Sequence, residues 1–240
     1  MITGASSDIG MDLMKKISEN YEYIWAHYFR SGDGLGKLQE ELGGKLLPVQ
    51  ADLSDRESTQ QLIKKIREAG KLPDHIVHLP APKSFNQKFH KCTWEDYQYG
   101  IDVSLRSIVM ILKEFLPEMV KKRYGKIVLM LTAYVIGVPP KFQSPYITVK
   151  YGLLGLMRNL AAEYAGKGIT VNGVSPDMIE TKFLSQIPEL IIEQNAKNTP
   201  MGRNLRVEEV VPTFEYLLSD GADLVTGQNI GVTGGVEIAR

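Results

Sequence analysis

Residues 2–10 read Ile2-Thr3-Gly4-Ala5-Ser6-Ser7-Asp8-Ile9-Gly10, an apolar strand end running through a small-residue turn into an amphipathic segment. Gly4 permits a tight turn, and the small side chains beside it let a backbone come close to a bound anion. Free N–H groups and the positive end of a following helix would favour a pyrophosphate there. The spacing of a three-glycine dinucleotide fingerprint is not met, because Asp8 stands at one of the small positions. An ordinary capping turn, with Ser7 or Asp8 as N-cap, is the competing reading of the bare pattern.

Downstream, short β-like runs alternate with helical periodicity, which predicts a parallel sheet covered on both faces. The expected strands are Tyr23–Tyr28, Leu46–Gln50, His75–Leu79, Lys126–Leu131, Thr170–Val174 and Asn229–Val232. The expected helices are Ile9–Asn20, Leu35–Leu42, Glu57–Ala69 capped by Asp55, one long helical region over Trp94–Lys122, and Pro145–Ala165. The first strand ends at Thr3 and is therefore either unusually short or preceded by further residues. No repeat or linker interrupts the 240 residues, so a single α/β domain of the doubly wound Rossmann type over 1–240 is expected.

Composition narrows the function classes. Basic and acidic residues balance at 28 each, which gives no electrostatic footprint for nucleic acid or an anionic membrane. The apolar stretch 101–120 is broken by Arg106, Lys113 and Glu114, so it reads as an amphipathic helix and not as a membrane span. Cys92 is the sole cysteine and has no partner for an internal disulfide, in keeping with a cytoplasmic setting. His75 and His78 lie on opposite faces of a strand, and no carboxylate–histidine cluster accompanies them, so no metal site is expected.

Tyr146 and Lys150 stand four residues apart, one helical turn, after a buried apolar strand and a Pro-rich loop. An ammonium beside a phenol favours the phenolate, which suits a group that must exchange a proton with a carbonyl or alcohol oxygen. The opening turn, Asp52-Leu53 after the third strand, Tyr146-Ile147-Thr148-Val149-Lys150, Val171-Asn172-Gly173-Val174-Ser175-Pro176 with Thr181, Pro200-Met201-Gly202-Arg203, and Thr226 to Gly235 occur in that order. This series resembles the short-chain dehydrogenase/reductase family, and is similar to its 3-oxoacyl-[acyl-carrier-protein] reductase-like members, along nearly the whole chain.

The resemblance implies a nicotinamide cofactor held by Thr3, Gly4, Ser6, Ser7, Asp8, Ile9, Gly10, Asp52, Leu53, Ala81, Tyr146, Lys150, Pro176, Ile179 and Thr181. It implies Tyr146 as general acid/base and Lys150 as the group that lowers its pKa and binds ribose. Thr132 is the candidate for the serine that steadies the substrate oxygen, with Ser144 second. Ser104 falls at the family's asparagine, whose role is to support a proton-relaying water, and Asp102 is the other alignment. A small carbonyl or alcohol substrate and a homo-oligomer, tetramer or dimer, are also implied. The second strand ends Arg30-Ser31 with no acid to hold a ribose 2′-hydroxyl, so NADP(H) is expected over NAD(H). Leu79-Pro80-Ala81-Pro82 replaces the family's Asn-Ala-Gly, and Asp177 replaces a glycine. These departures motivate the alternative of a cofactor-binding protein with impaired catalysis. The segment 182–199 reads as either a substrate lid or an amphipathic helix packed on its own domain.

Overall fold

The computed structural model describes residues 1–81 and 86–236, without the side chains of Phe183 and Gln186. Pro82, part of the rebuilt loop noted above, lies outside the described residues. Seven strands form one wholly parallel sheet: β1 (Ile2–Thr3), β2 (Ile24–Tyr28), β3 (Leu46–Gln50), β4 (His75–His78), β5 (Gly125–Met130), β6 (Ile169–Pro176) and β7 (Asn229–Val232). Their order is β3-β2-β1-β4-β5-β6-β7. The order reverses between β1 and β4, where a doubly wound sheet opens a crevice at the carboxyl ends of its strands.

Helices α1 (Asp8–Ile17), α2 (Asp33–Glu41) and α8 (Val207–Leu218) cover one face, and α3 (Arg56–Glu68), α5 (Ser107–Lys122) and α6 (Ser144–Tyr164) the other. Apolar side chains at helical spacing build both cores. On α1 these are Ile9, Leu13, Met14 and Ile17, and on α5 they are Ile108, Ile111, Leu112, Phe115 and Met119. Asp55 caps α3 as expected, accepting the N–H groups of Glu57 and Ser58.

Three local differences from the sequence expectation bear on function. The stretch over 94–122 is not one regular helix: α4 (Trp94–Gly100) passes through a π-helical segment, Ile101–Arg106, before α5. Such widening puts an extra residue in the turn and concentrates at functional sites; Ser104 lies inside it, fully buried. Helix α8 has no counterpart in the sequence reading, because Pro212 interrupts its pattern and Arg206 stands where a Ser or Thr cap would announce it. Helix α7 (Glu189–Asn198) has no fully buried residue: Leu190 is 65% exposed and Ile191 and Ile192 are half-buried, so its apolar side is only partly covered.

Phe214 on α8 is fully buried, whereas Leu224 is 97% exposed. Phe214→Ala is expected to cost about 3–5 kcal/mol in denaturant unfolding. Leu224→Ala should stay within about 0.5 kcal/mol of the parent in the same assay.

Candidate active site

The opening turn is shaped by two glycines. Gly4 sits at φ +70°, a conformation that side-chain-bearing residues avoid. At Gly10 an added Cβ would lie 2.5 Å from the Ala5 carbonyl oxygen, so only glycine lets α1 start this close to the turn. Ser7, and not Asp8, is the N-cap: its hydroxyl accepts the Gly10 N–H at 3.1 Å. The Ser7 N–H goes to the Gly4 carbonyl, and Ala5 donates to His27 at 2.8 Å. No acceptor among the described residues takes the N–H groups of Ser6, Asp8 and Ile9. The result is a small-walled cradle with spare donors at a helix N-terminus, which fits a pyrophosphate.

Thr3 supports the cradle from beneath and does not reach into it. Its hydroxyl is buried against His78 Nδ1 at 2.7 Å, and its carbonyl accepts the Leu79 N–H. Asp8 has a task the sequence reading missed. Its carboxylate accepts the Lys182 N–H at 2.8 Å and lies 3.7 Å from the Lys182 ammonium, tying the turn to the segment that leads into α7.

Arg30 and Asp52 lie just after the ends of β2 and β3. Arg30 and Ser31 are exposed, and the Arg30 guanidinium lies 4.7 Å from the Phe29 ring centroid. That stacking restrains the cation while leaving its N–H fork toward solvent. Asp52 closes a local turn, accepting from the N–H of Ser54 at 2.8 Å and its hydroxyl at 2.6 Å. Leu53 is buried, and its carbonyl and that of Ser54 accept from Arg106, which also pairs with Asp102 at 2.7 Å. Asp102 is thus committed to Arg106 and Gln98, which leaves Ser104 as the π-segment residue aimed at the strand ends.

Lys150 and Tyr146 share one face of α6 beside the end of β5. Lys150 is fully buried, its ammonium donating to the Met130 carbonyl at 2.8 Å and lying 5.6 Å from the Tyr146 ring centroid. Burial pushes Lys150 down to about 7. Burial pushes the Tyr146 phenol up to about 12, opposed by its hydrogen bond to the Thr132 hydroxyl. Thr132, itself buried after β5, is therefore at the phenol. Ser144 is engaged elsewhere, its hydroxyl paired with the Tyr97 hydroxyl at 2.5 Å.

Ser104 lies between these groups and the turn. Its hydroxyl donates to the Pro80 carbonyl at 3.2 Å, and its carbonyl accepts from His78 Nε2 at 2.8 Å. With its proton committed, the Ser104 oxygen can only accept from a water or an ammonium. His75, on the opposite face of β4, bridges the hydroxyls of Tyr21 and Tyr124 at the far end of the sheet.

The end of β6 and the residues after it form the next part of the candidate site. Pro176 closes that strand, Ile179 pairs in parallel with Leu205, and the Thr181 hydroxyl donates to the Ile179 carbonyl at 3.3 Å. Ala81 is exposed at the last described position before residue 82. Asp177 is buried, and its carboxylate accepts from Asn195 on α7 at 3.1 Å. The same Asn195 amide donates to Asn204, so α7 is pinned by a polar cluster at its C-terminal end and by Asp8 near the start of its segment. Sequence reasoning saw Asp177 only as a departure; its partner Asn195 gave no signal at that distance along the chain.

Comparison with known proteins agrees with this geometry. A family model described as enoyl-(acyl carrier protein) reductase matches residues 4–237. The chain is 31% identical over 240 residues to the 3-oxoacyl-[acyl-carrier-protein] reductase FabG of Thermotoga maritima, covering 99% of this chain and 97% of that one. It is similar to a 3-oxoacyl-[acyl-carrier protein] reductase with bound NAD from Brucella melitensis, with TM-score 0.85, 26% identity and coverage of 99% and 90%. A second solved structure, described as a short-chain dehydrogenase/reductase family protein, matches with TM-score 0.85, 25% identity and coverage of 98% and 95%.

Lys150 generates a pH prediction. Between its folded value of about 7 and the ordinary 10.5, the unfolded chain holds a proton that the folded chain lacks. Its contribution to folding stability therefore rises with pH across that window. The stability difference between the nucleotide-free parent and Lys150→Met should move in the parent's favour from pH 7 to pH 10. A flat difference across that range, in chemical denaturation, would contradict the burial of the amine.

Proposed function

This chain belongs to the short-chain dehydrogenase/reductase family and is an oxidoreductase, and we propose that it interconverts a carbonyl and a secondary alcohol with NADP(H), using Tyr146 as general acid/base. The observation that carries this reading is Lys150, buried one helical turn from Tyr146, with the buried Thr132 hydroxyl acting to lower the phenol's pKa. Catalysis of this kind needs a proton donor at the oxygen where negative charge develops. The binding-only alternative is not favoured, since the relatives are named as reductases.

The bound cofactor would supply or accept the hydride. The Gly4–Gly10 turn would receive its pyrophosphate through the unclaimed N–H groups, Asp52 and Leu53 would border the adenine, and Ile179 and Thr181 would border the nicotinamide. Arg30 favours a ribose 2′-phosphate, because a guanidinium pairs with phosphate in two parallel bonds. Ser31 adds a hydroxyl at the same place.

Thr132 and Tyr146 would hold the substrate oxygen between two hydroxyls. Tyr146 would give its proton to that oxygen as an alkoxide forms, and take it back in the reverse direction. A phenol pushed up to about 12 is scarcely ionised at neutral pH, so Lys150 has to be charged to favour the phenolate for the alcohol-oxidising direction. Ser104 would accept a hydrogen bond from the water that replenishes Lys150. The substrate is a small molecule presented under α7, and a 3-oxoacyl thioester is the first to test, from the relatives' names. We further propose a cytoplasmic, homo-oligomeric enzyme, tetramer or dimer, formed from this single domain.

Two measurements test the proposal. Tyr146→Phe should lower turnover by about 10²–10⁴-fold on any accepted substrate while leaving the NADPH dissociation constant unchanged. Full activity of that variant, or no binding of NADPH or NADH by the parent, would overturn it. Arg30→Ala should weaken NADPH about tenfold relative to NADH, in keeping with loss of one charge-assisted pair; an unchanged ratio would remove Arg30 from the cofactor site.

A further inference from the structure

His27 lies one residue before the end of β2 and is 3% exposed. Its Nε2 stands 3.0 Å from the Ala51 carbonyl oxygen. A carbonyl only accepts, so Nε2 carries the ring proton. Nδ1 is then a bare acceptor, and it receives the Gly4 N–H at 3.1 Å. The His27 main-chain carbonyl takes the next donor, the Ala5 N–H, at 2.8 Å. One residue thus absorbs two consecutive N–H groups of the turn, and its flat ring spans from the turn to the first residue after β3.

Both ring contacts require the neutral imidazole in one tautomer. A second proton on Nδ1 would face the Gly4 N–H, donor against donor. Burial acts in the same sense and lowers the ring's pKa. The sheet pairing leaves this place to the side chain: the β1–β2 register is Ile2 opposite Ala26, and the β2–β3 register closes with Tyr28 opposite Gln50.

We propose that His27 is a positioning residue for the nucleotide, a rigid spacer that fixes the Gly4 turn against the Ala51–Asp52 corner and withdraws the Gly4 and Ala5 N–H groups from the anion site. The donors left to meet a pyrophosphate are then those of Ser6, Asp8 and Ile9, set at a distance from Asp52 that the ring determines. This inference rests on the cofactor reading above. A histidine that only filled the core would matter to stability and not to nucleotide affinity in particular.

Two substitutions separate these roles. In His27→Asn the side-chain oxygen takes roughly the place of Nδ1 and can still accept the Gly4 N–H, but the amide falls short of Ala51. His27→Leu keeps the bulk and loses both bonds. NADPH and NADH dissociation constants, read by nucleotide fluorescence on folded protein, should rise about tenfold or more in His27→Leu and less in His27→Asn. The Gly4 amide resonance of the nucleotide-free protein should shift upfield in His27→Leu and hold in His27→Asn. Parent-like NADPH affinity in His27→Leu overturns the proposal, as do equal losses in both variants that merely track their melting temperatures. Should His27→Leu fail to fold, the ring nitrogens of the parent decide: a protonated Nδ1 overturns the spacer. A parent that binds neither nucleotide overturns the cofactor reading itself, whereas binding by the parent with an indifferent His27 overturns only this inference.

Discussion

A cation buried without a counter-charge is costly, and the candidate centre is organised around one. The Lys150 ammonium has a single carbonyl, that of Met130, and no carboxylate within ion-pair distance among the described residues. Desolvation therefore brings it to the edge of neutrality. The same burial makes the neighbouring phenol harder to ionise. Both effects are relieved by anything that stabilises charge on Lys150. The protein thus carries at this point a cost in stability.

Everything around β1 serves to hold that centre in register with the turn. The strand contributes only Ile2 and Thr3, too few ladder bonds to define the turn by themselves. Histidines on the two flanking strands supply what the ladder lacks. His27 grips the turn from the β2 side, and His78 joins Thr3 to the Ser104 carbonyl from the β4 side. Both rings are buried, and each meets one acceptor and one group able to donate. His27 cannot take a second proton without losing the Gly4 N–H, and burial pushes His78 down to about 3. They are fixed dipoles and not proton carriers.

The fold and its ends were legible because parallel strands buried on both faces are nearly continuous apolar runs, as in Ile127–Leu129. The Tyr146–Lys150 pair was legible from its helical spacing together with its place after a buried strand and a Pro-rich loop and within the ordered series of motifs. What escaped depends on distance in space and not in sequence. Nothing local announces the π-helical widening at Ile101–Arg106, which contains neither Gly nor Pro. His27 carries no pattern at all; its meaning comes from Gly4, 23 positions earlier. Helix α8 was hidden by Pro212 and by a cap made from Arg206 and Glu209 instead of the usual short polar residue.

Asp8 shows how one departure from a motif can be compensated within the same structure. A carboxylate at the mouth of an anion-binding turn should repel a pyrophosphate. Here its oxygens are turned to the Lys182 backbone and ammonium, so the charge is spent on the segment leading into α7. The other end of α7 is held by Asp177 through Asn195, another carboxylate at a position where the family has glycine. The two departures are therefore one feature seen twice. Each places an acid on the frame of the candidate site, and each uses it to hold α7 or the segment leading into it. That helix has no fully buried residue, only half-buried ones such as Ile191 and Ile192, so these polar anchors add to what holds it in place.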